Sequence, residues 1–302
     1  MTTSTFEKPV KRKTFQGVGP RRRAVDLTAT VLVTLAVVVA LIPLAWVLWT
    51  VIAKGFPAIT SETWFTNSLS GLTSSSPGGG VYHALVGTLI QGLVCAVFSI
   101  PLGIFVAIYL VEYATKKSLL ARVTTFMVDI LSGVPSIVAA LFVYAVWRTT
   151  LGLPRSGFVV AIALVLLMVP LVVRATEEML KIVPQDLREA SYALGIPKWK
   201  TIVKIVLPTA LSGIVTGVML AIARVMGESA PVLILVGATR AMNWNPFDGN
   251  QQSLPLMMVQ QYNNGPGAFD QVWGAALTLV ILVAIVYFGA KAVSKIFAPK
   301  TS

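Results

Sequence analysis

Charged residues are scarce in this sequence, and cysteine and histidine are almost missing. Asp, Glu, Lys and Arg together make up only 12% of the 302 residues, about half the share found in an average soluble domain. Cys95 is the single cysteine and His83 the single histidine. One cysteine excludes a disulfide within the chain, and one histidine leaves too few ligands for a metal cluster. We therefore expect neither a bound metal nor a cofactor.

Long apolar runs occupy most of the chain instead. Hydrophobic residues make up 56% of the sequence, and the mean hydropathy is +0.80. Six runs exceed the roughly 20 residues that a helix needs to cross a bilayer, and none alternates polar and apolar residues as a barrel strand would. His83, at the edge of the second run, is expected at the membrane–water interface. The sequence predicts an all-α polytopic membrane protein with six transmembrane helices, at 24–53, 83–111, 119–147, 157–180, 208–237 and 269–297.

Basic residues are concentrated in alternate connections. The net charge is +12, and 19 of the 24 Lys and Arg residues fall on one side of a six-span topology. By the positive-inside rule this side is the cytoplasm, which places both termini there. The charge therefore indicates orientation, and no nucleic acid is expected as a partner. Residues 1–23 are predicted to form a basic cytoplasmic tail before a transmembrane domain at 24–302.

No pattern in the sequence indicates a nucleotide-binding site or a catalytic centre. The glycine-rich stretch at 73–80 lacks the Lys-Ser/Thr pair of a phosphate-binding loop, and the pattern GxxxxGK[ST] occurs nowhere. The predicted spans hold too few nucleophiles and bases for a catalytic arrangement. We expect a protein that is not an enzyme and has no catalytic residues.

Two connections are long enough to hold helices of their own. The outer connection 238–268 is expected to contain a short helix around Leu254–Tyr262 at the membrane surface. The cytoplasmic connection 181–208 reads KIVPQDLREASYALGIPKWKTIVKIVLP. Its prolines and Gly195 predict a short helix, a turn and a second amphipathic helix that ends at Pro208. Such a pair would protrude from the membrane and suit docking into a groove of a partner.

The fifth apolar run contains two opposite charges, in the stretch AIARVMGESAP at 221–231. A charge near the middle of a bilayer costs roughly 2.5–3.5 kcal/mol on insertion scales. Glu228 follows Arg224 by four residues, so both are expected on one helix face. They could form a structural ion pair, but two apolar residues would fold as well. We favour a functional reading, in which the guanidinium of Arg224 binds a passing oxyanion.

Two roles fit Glu228, and the sequence leaves both open. Phosphate near neutral pH still carries a P–OH, which a carboxylate can accept, whereas fully ionised sulfate has no proton to offer. Alternatively, Glu228 tethers Arg224 between transport events. A further carboxylate, Asp129 in the third run, is expected to pair with Arg122, two turns earlier.

Motifs in four places resemble those of a known transporter family. In the cytoplasmic connection, the pattern E-A-A-x3-G-x9-I-x-L-P of ABC-importer permeases matches Glu189, Ala190, Ser191, Gly195, Ile205, Leu207 and Pro208. Ser191 is the one departure, a small residue in place of alanine. GVPSIV at 133–138, VVRATEEML at 172–180 and AIARVMGESAP narrow the likeness. The chain resembles the permeases of phosphate-specific transport (Pst) importers, most of all the PstA type.

The resemblance implies a fold, a set of partners and two functional sites. The fold would be that of a type I ABC importer in the bacterial plasma membrane. The partners would be a PstC-like second permease, a PstB-like ATPase dimer and a PstS-like extracytoplasmic phosphate-binding protein. The loop at 181–208 would be the coupling helix that docks the ATPase. Inorganic phosphate would contact Arg224 and Glu228, with Arg174 at the end of the fourth run as a second candidate.

Two alternatives remain open at this point. The chain could be a permease subunit for another oxyanion, such as sulfate or molybdate, although the stretch around Arg224 and Glu228 argues against it. It could also be a stand-alone secondary transporter, but no inverted repeat is visible and the docking loop would then have no purpose.

Overall fold

A computed structural model describes residues 19–72, 79–115 and 117–297. The secondary structure in these ranges is helical, with turns and irregular segments between the helices and no strand. Short π-helical turns follow α2 and α4 and precede α8, at Tyr109–Tyr113, Ala145–Thr150 and Ile202–Val206. The helices are α1 Pro20–Ile59, α2 Tyr82–Ile108, α3 Leu119–Gly133, α4 Ser136–Tyr144, α5 Gly157–Ile182, α6 Gln185–Ala193, α7 Lys198–Thr201, α8 Leu207–Met226, α9 Ala230–Leu235, α10 Leu254–Asn263 and α11 Phe269–Phe297.

The chain divides into two compact units within α1, between Thr50 and Val51. The described part of the first unit is the long apolar portion of α1, exposed from Pro20 to Trp49. Proline is well suited to the first position of a helix, because the amide there needs no partner. The helix therefore begins before the predicted boundary at 23, and residues 1–18 of the predicted tail lie outside the described residues.

Five helices are long and apolar enough to cross a membrane, at Pro20–Ile59, Tyr82–Tyr113, Gly157–Ile182, Lys198–Met226 and Pro266–Lys295. The third predicted run is different, because α3 and α4 meet at an angle of 106°. Pro135 lies at this bend and disfavours helical geometry at the residue before it. The prediction of one continuous helix over 119–147 is therefore wrong, and the pair is a broken span or a re-entrant loop.

Helix α5 forms the centre of the second unit, packed against α2, α3, α4, α8 and α9. Small residues allow these helices to approach closely. A Cβ atom on Gly103 of α2 would lie 2.6 Å from Cγ1 of Val172, and one on Gly217 of α8 would overlap the Cβ of Ala175. The fold that encloses the site is thus a bundle around one buried helix.

The outer connection enters the bundle. Gln251 and Gln252 are buried, and the side-chain amide of Gln91 on α2 donates to Oε1 of Gln251 at 3.2 Å. The short helix predicted at 254–262 is confirmed as α10, but Leu254 is fully buried, so its start packs inside the protein. His83 was expected at the interface; it is buried, and neither ring nitrogen has a hydrogen-bond partner among the described residues.

Candidate functional site

Arg224 lies in the last turn of α8, where the predicted fifth span breaks. Helix α8 ends at Met226, and the amide of Gly227 donates to the carbonyl of Arg224 at 3.1 Å. Pro231, in the first turn of α9, has no N–H to donate to the carbonyl of Gly227. In a continuous helix its ring would also clash with that carbonyl. The expectation of one continuous helix over 208–237 is therefore wrong.

Glu228 lies beyond the end of α8 and does not pair with Arg224. The shared face of residues four apart exists only within a helix, and this helix has already ended. Among the described residues, no acidic side chain lies within ion-pair distance of Arg224. The prediction that the two charges share a helix face is wrong.

The register between α8 and α5 gives the depth of Arg224. Gly213 contacts Met179 and Gly217 contacts Ala175, so four residues forward on α8 correspond to four residues back on α5. Continued along α8, this antiparallel register puts Arg224 level with Met168, near the middle of α5. Arg224 is exposed on this chain. A charge exposed at that depth faces water or another protein chain, because contact with lipid is costly.

Arg174 of α5 donates to two carboxylates. Its Nη1 lies 2.8 Å from Oε2 of Glu177, one turn further along, and its Nη2 contacts Oδ1 of Asp129 on α3. The second oxygen of Glu177 accepts from Nζ of Lys181 at 2.7 Å. We call Asp129, Arg174, Glu177 and Lys181 the Arg174 cluster. The predicted pair of Asp129 with Arg122 is wrong, because two helical turns separate them by about 10 Å while α5 passes beside Asp129.

An open cleft of about 500 Å³ borders the Arg174 cluster. It lies between α3, α5 and the π-helical turn after α2. The side chain of Asp129 is 60% exposed at its rim. The polar residues that line the cleft are Thr115, Ser118, Arg122, Thr125, Asp129 and Glu177.

The predicted helix–turn–helix of the docking loop is present as α6, a turn and α7. Gly195 has a φ of +73°, a left-handed conformation that costs a residue with a Cβ atom energy. The amide of Ile196 donates to the carbonyl of Ser191 at 3.2 Å. Across the turn, the buried hydroxyls of Ser191 and Thr201 lie 2.8 Å apart in a hydrogen bond. Ser191, the departure from the family pattern, thus ties α6 to α7.

The exposed apolar surface of this loop extends over α6, the turn and the second helix. Leu194 is 80% exposed, and Leu187, Tyr192 and Trp199 are exposed as well, as are Glu189 and Ala190. On the second helix Trp199 and Val203 are exposed, while Ile202 and Val206 are buried and Ile205, Leu207 and Pro208 are half-buried. A partner that docks here would therefore contact α6, the turn and the exposed side of the second helix.

The second helix does not end at Pro208, as the sequence predicted. It runs on through the π-helical turn at Ile202–Val206 into α8, and Lys198–Met226 forms one span. The π-helical turn is wider than an α-helical one. It accommodates the ring of Pro208 and the hydrogen bond that proline cannot make, so the helix continues.

Sequence analysis missed the contact that fixes α6 to the bundle. Arg188 of α6 donates from Nε and Nη2 to Oε1 of Glu112, at 3.1 and 2.8 Å. Its Nη1 and Nη2 also donate to the carbonyls of Val183 and Leu180. Both charged side chains are buried, at 9% and 5% exposure. No local sequence pattern indicates such a pair, because 76 residues separate Glu112 from Arg188.

Metal-binding residues do not cluster in the described ranges, where no group of three His, Cys, Asp or Glu side chains lies together. Cys95 is buried, with its sulfur 3.5 Å from the hydroxyl of Ser99.

Solved structures share this fold. A chain of an inward-facing MetNI methionine ABC transporter matches with a TM-score of 0.57 at 21% identity, over 72% of this chain and 94% of that one. A bacterial alginate ABC transporter, solved with its periplasmic protein, matches with a TM-score of 0.61 at 12% identity, over 89% and 94%. The arrangement of helices is thus that of ABC-transporter permeases.

Sequence comparison agrees with the fold. A family model described as binding-protein-dependent transport system inner membrane component matches residues 99–302. Proteins named phosphate transport system permease protein PstA are similar over most of their length. The Mycobacterium tuberculosis PstA 1 is 55% identical over 96% of this chain and 94% of its own, the Mycobacterium leprae protein 54% over 96% and 95%, and the Xylella fastidiosa protein 38% over 90% and 93%. The chain therefore belongs to the family of binding-protein-dependent inner membrane transport components and, within it, to the PstA permeases.

Proposed function

We propose that this chain is a permease subunit of an ATP-driven phosphate importer and forms half of its pathway. The observation that carries the proposal is Arg224, a permanent charge exposed at mid-depth and without a carboxylate partner among the described residues. A guanidinium with free N–H groups matches the oxygens of phosphate in a bidentate fork. The name of the PstA relatives supports phosphate as the anion.

A second, PstC-like permease would complete the pathway. Arg224 and the half-buried Glu228 lie at the surface of this chain, and a mid-membrane charge needs protein or water around it. A partner packed against this surface would enclose both residues in a polar channel. An extracytoplasmic, PstS-like protein would deliver phosphate to it.

The loop around α6 would dock a PstB-like ATPase dimer. Its exposed apolar residues fit a groove of a partner, and the chain has no phosphate-binding loop of its own. We propose that the residues of the family pattern act here: Glu189, Ala190, Ser191, Gly195, Ile205, Leu207 and Pro208. The basic connections support the proposal that this end and both termini lie on the cytoplasmic side of a bacterial plasma membrane.

Glu228 is proposed to accept the P–OH of phosphate. The tether role lacks support, because Glu228 makes no ion pair with Arg224 in the described part of the chain. An ionised carboxylate in the pathway repels an anion that has no proton to share, which favours phosphate over sulfate. Arg174 would be a second cation along the route.

The experiment is uptake of radiolabelled phosphate, sulfate and molybdate by proteoliposomes that contain the chain with the second permease, ATPase and binding protein. Arg224→Gln should lower phosphate uptake per assembled complex by about 10- to 100-fold, the value of one or two charge-assisted hydrogen bonds. Assembly should be normal, because no carboxylate loses its partner. Glu228→Gln should raise sulfate uptake relative to phosphate.

The matched control is Arg148→Gln, since within the described ranges the side chain of Arg148 donates only to the carbonyl of Leu153 in its own loop. It should transport phosphate normally. Normal uptake by Arg224→Gln would contradict the proposed role of Arg224. Preferential uptake of sulfate or molybdate by the unmodified complex would indicate another oxyanion permease, and uptake without the ATPase a secondary transporter.

A further inference from the structure

The Arg174 cluster has no net charge and leaves its arginine little freedom. Two carboxylates and two cations are joined in one chain of contacts, Asp129 to Arg174 to Glu177 to Lys181. Both terminal nitrogens of the Arg174 guanidinium are engaged, each by a different carboxylate. Two of the five N–H groups of Arg174 are therefore committed to carboxylates, whereas Arg224 makes no ion pair within the described ranges.

Along the axis of α5, the cluster lies nearer to α6 than the level of Arg224 does. Arg174 is six residues further along α5 than Met168, the level of Arg224, or about 9 Å along the helix axis. Asp129 is charged, largely exposed and inside a predicted span. Because lipid contact would be costly for such a group, the adjoining cleft is open to water or to a partner chain.

An arginine whose guanidinium had no carboxylate partner would hinder transport at this point. Guanidinium–phosphate pairs are strong and bidentate, so a second open fork would hold the anion after Arg224 had released it. Two carboxylates that occupy both nitrogens compete with the anion for the same donors. The side chain of Asp129 is 60% exposed and that of Arg174 33%, so this pair contributes little to stability and can still weaken anion binding.

We propose that Asp129 and Glu177 are positioning residues that neutralise Arg174, so that phosphate passes the cleft without being retained. This inference rests on the proposed transport of phosphate. Removal of one carboxylate charge should free one side of the Arg174 fork. The complex should then bind phosphate more tightly and turn over more slowly.

The test compares Asp129→Asn with Glu178→Gln in the assembled complex. Glu178 is the exposed neighbour of Glu177 on α5 and makes no salt bridge within the described ranges, so its variant removes a carboxylate charge without touching Arg174. Two quantities are measured, the maximal uptake rate and the Kd of the purified complex for radiolabelled inorganic phosphate. For Asp129→Asn we expect the Kd and the maximal rate each to fall about fivefold, the change that about 1 kcal/mol produces. Glu178→Gln should change neither.

The double variant Asp129→Asn, Arg174→Gln distinguishes neutralisation from simple packing. If Asp129 acts through Arg174, removal of both charges should return the Kd to the unmodified value or a weaker one. A slower rate with an unchanged or weaker Kd in Asp129→Asn would show a merely structural ion pair and overturn the proposal. An unchanged rate and Kd would overturn it as well.

Failure of the proposed function would be visible separately. An unmodified complex that imports sulfate or molybdate but not phosphate would contradict phosphate as the substrate, and the same comparison would then be made with the imported anion. A complex that imports none of the three would overturn both the proposed function and the role of Asp129.

Discussion

Replacement of Arg188 by alanine should detach α6 from the transmembrane bundle. Arg188 makes two hydrogen bonds to the buried carboxylate of Glu112, and two more to the carbonyls of Leu180 and Val183 near the end of α5. Alanine would leave the Glu112 carboxylate buried without its partner and these carbonyls without a cationic donor. Loss of one member of a buried pair costs about 3–5 kcal/mol, which lowers the equilibrium for docking α6 by roughly two to four orders of magnitude.

The assay is co-purification of the ATPase with this chain, together with thermal unfolding of the purified complex in detergent. Arg188→Ala should reach the membrane but lose most of the bound ATPase and unfold at a lower temperature. Glu112→Gln should have a smaller effect, because an amide oxygen still accepts hydrogen bonds from Arg188. The double variant should be less destabilised than the sum of the two single variants, since no charge is left buried.

An Arg188→Ala complex with normal ATPase content and unfolding temperature would refute the reasoning. It would mean that apolar packing alone holds α6 in place.

Two further predictions concern glycines. Gly195→Val should reduce ATPase coupling, because a β-branched residue is strained at a φ of +73°, while Gly195→Asn should be close to normal since asparagine tolerates this conformation; equal ATPase stimulation by transport in both variants would contradict the role of the turn. Gly87→Ala should lower the amount of folded protein in the membrane, because its Cβ would overlap the carbonyl oxygen of Gln252. Gly92→Ala on the same helix is the control, with its nearest atom at 3.5 Å, and equal yields of the two variants would contradict the close approach.

The helices themselves could be predicted from sequence, because their signal is local. A long apolar run must satisfy its backbone groups internally in a bilayer, and a helix does so. The helix–turn–helix of the docking loop could also be predicted, because prolines, glycines and the spacing of apolar residues determine structure over only a few residues. Its turn at Gly195 is confirmed, and the family pattern correctly indicated a permease of the PstA family.

The continuity of the spans was harder to predict. Composition alone shows apolar residues on both sides of Pro135 and of Gly227, and a proline within an apolar run is compatible with either a kink or a full break. The choice depends on what the second half packs against. Here α4 follows the first break and α9 follows the second, and these two helices pack against each other. The two breaks, far apart in sequence, therefore depend on the same contact.

By itself the sequence determined the class of protein, its helices and the presence of an arginine inside an apolar run, Arg224, that needed a reason. The tertiary structure decided which charges meet. Asp129 pairs with Arg174 at a separation of 45 residues, and Glu112 with Arg188 at 76. Arg224 and Glu228, only four residues apart, form no pair. Sequence spacing predicts contacts only while a helix continues, whereas pairs between helices depend on which faces the bundle brings together.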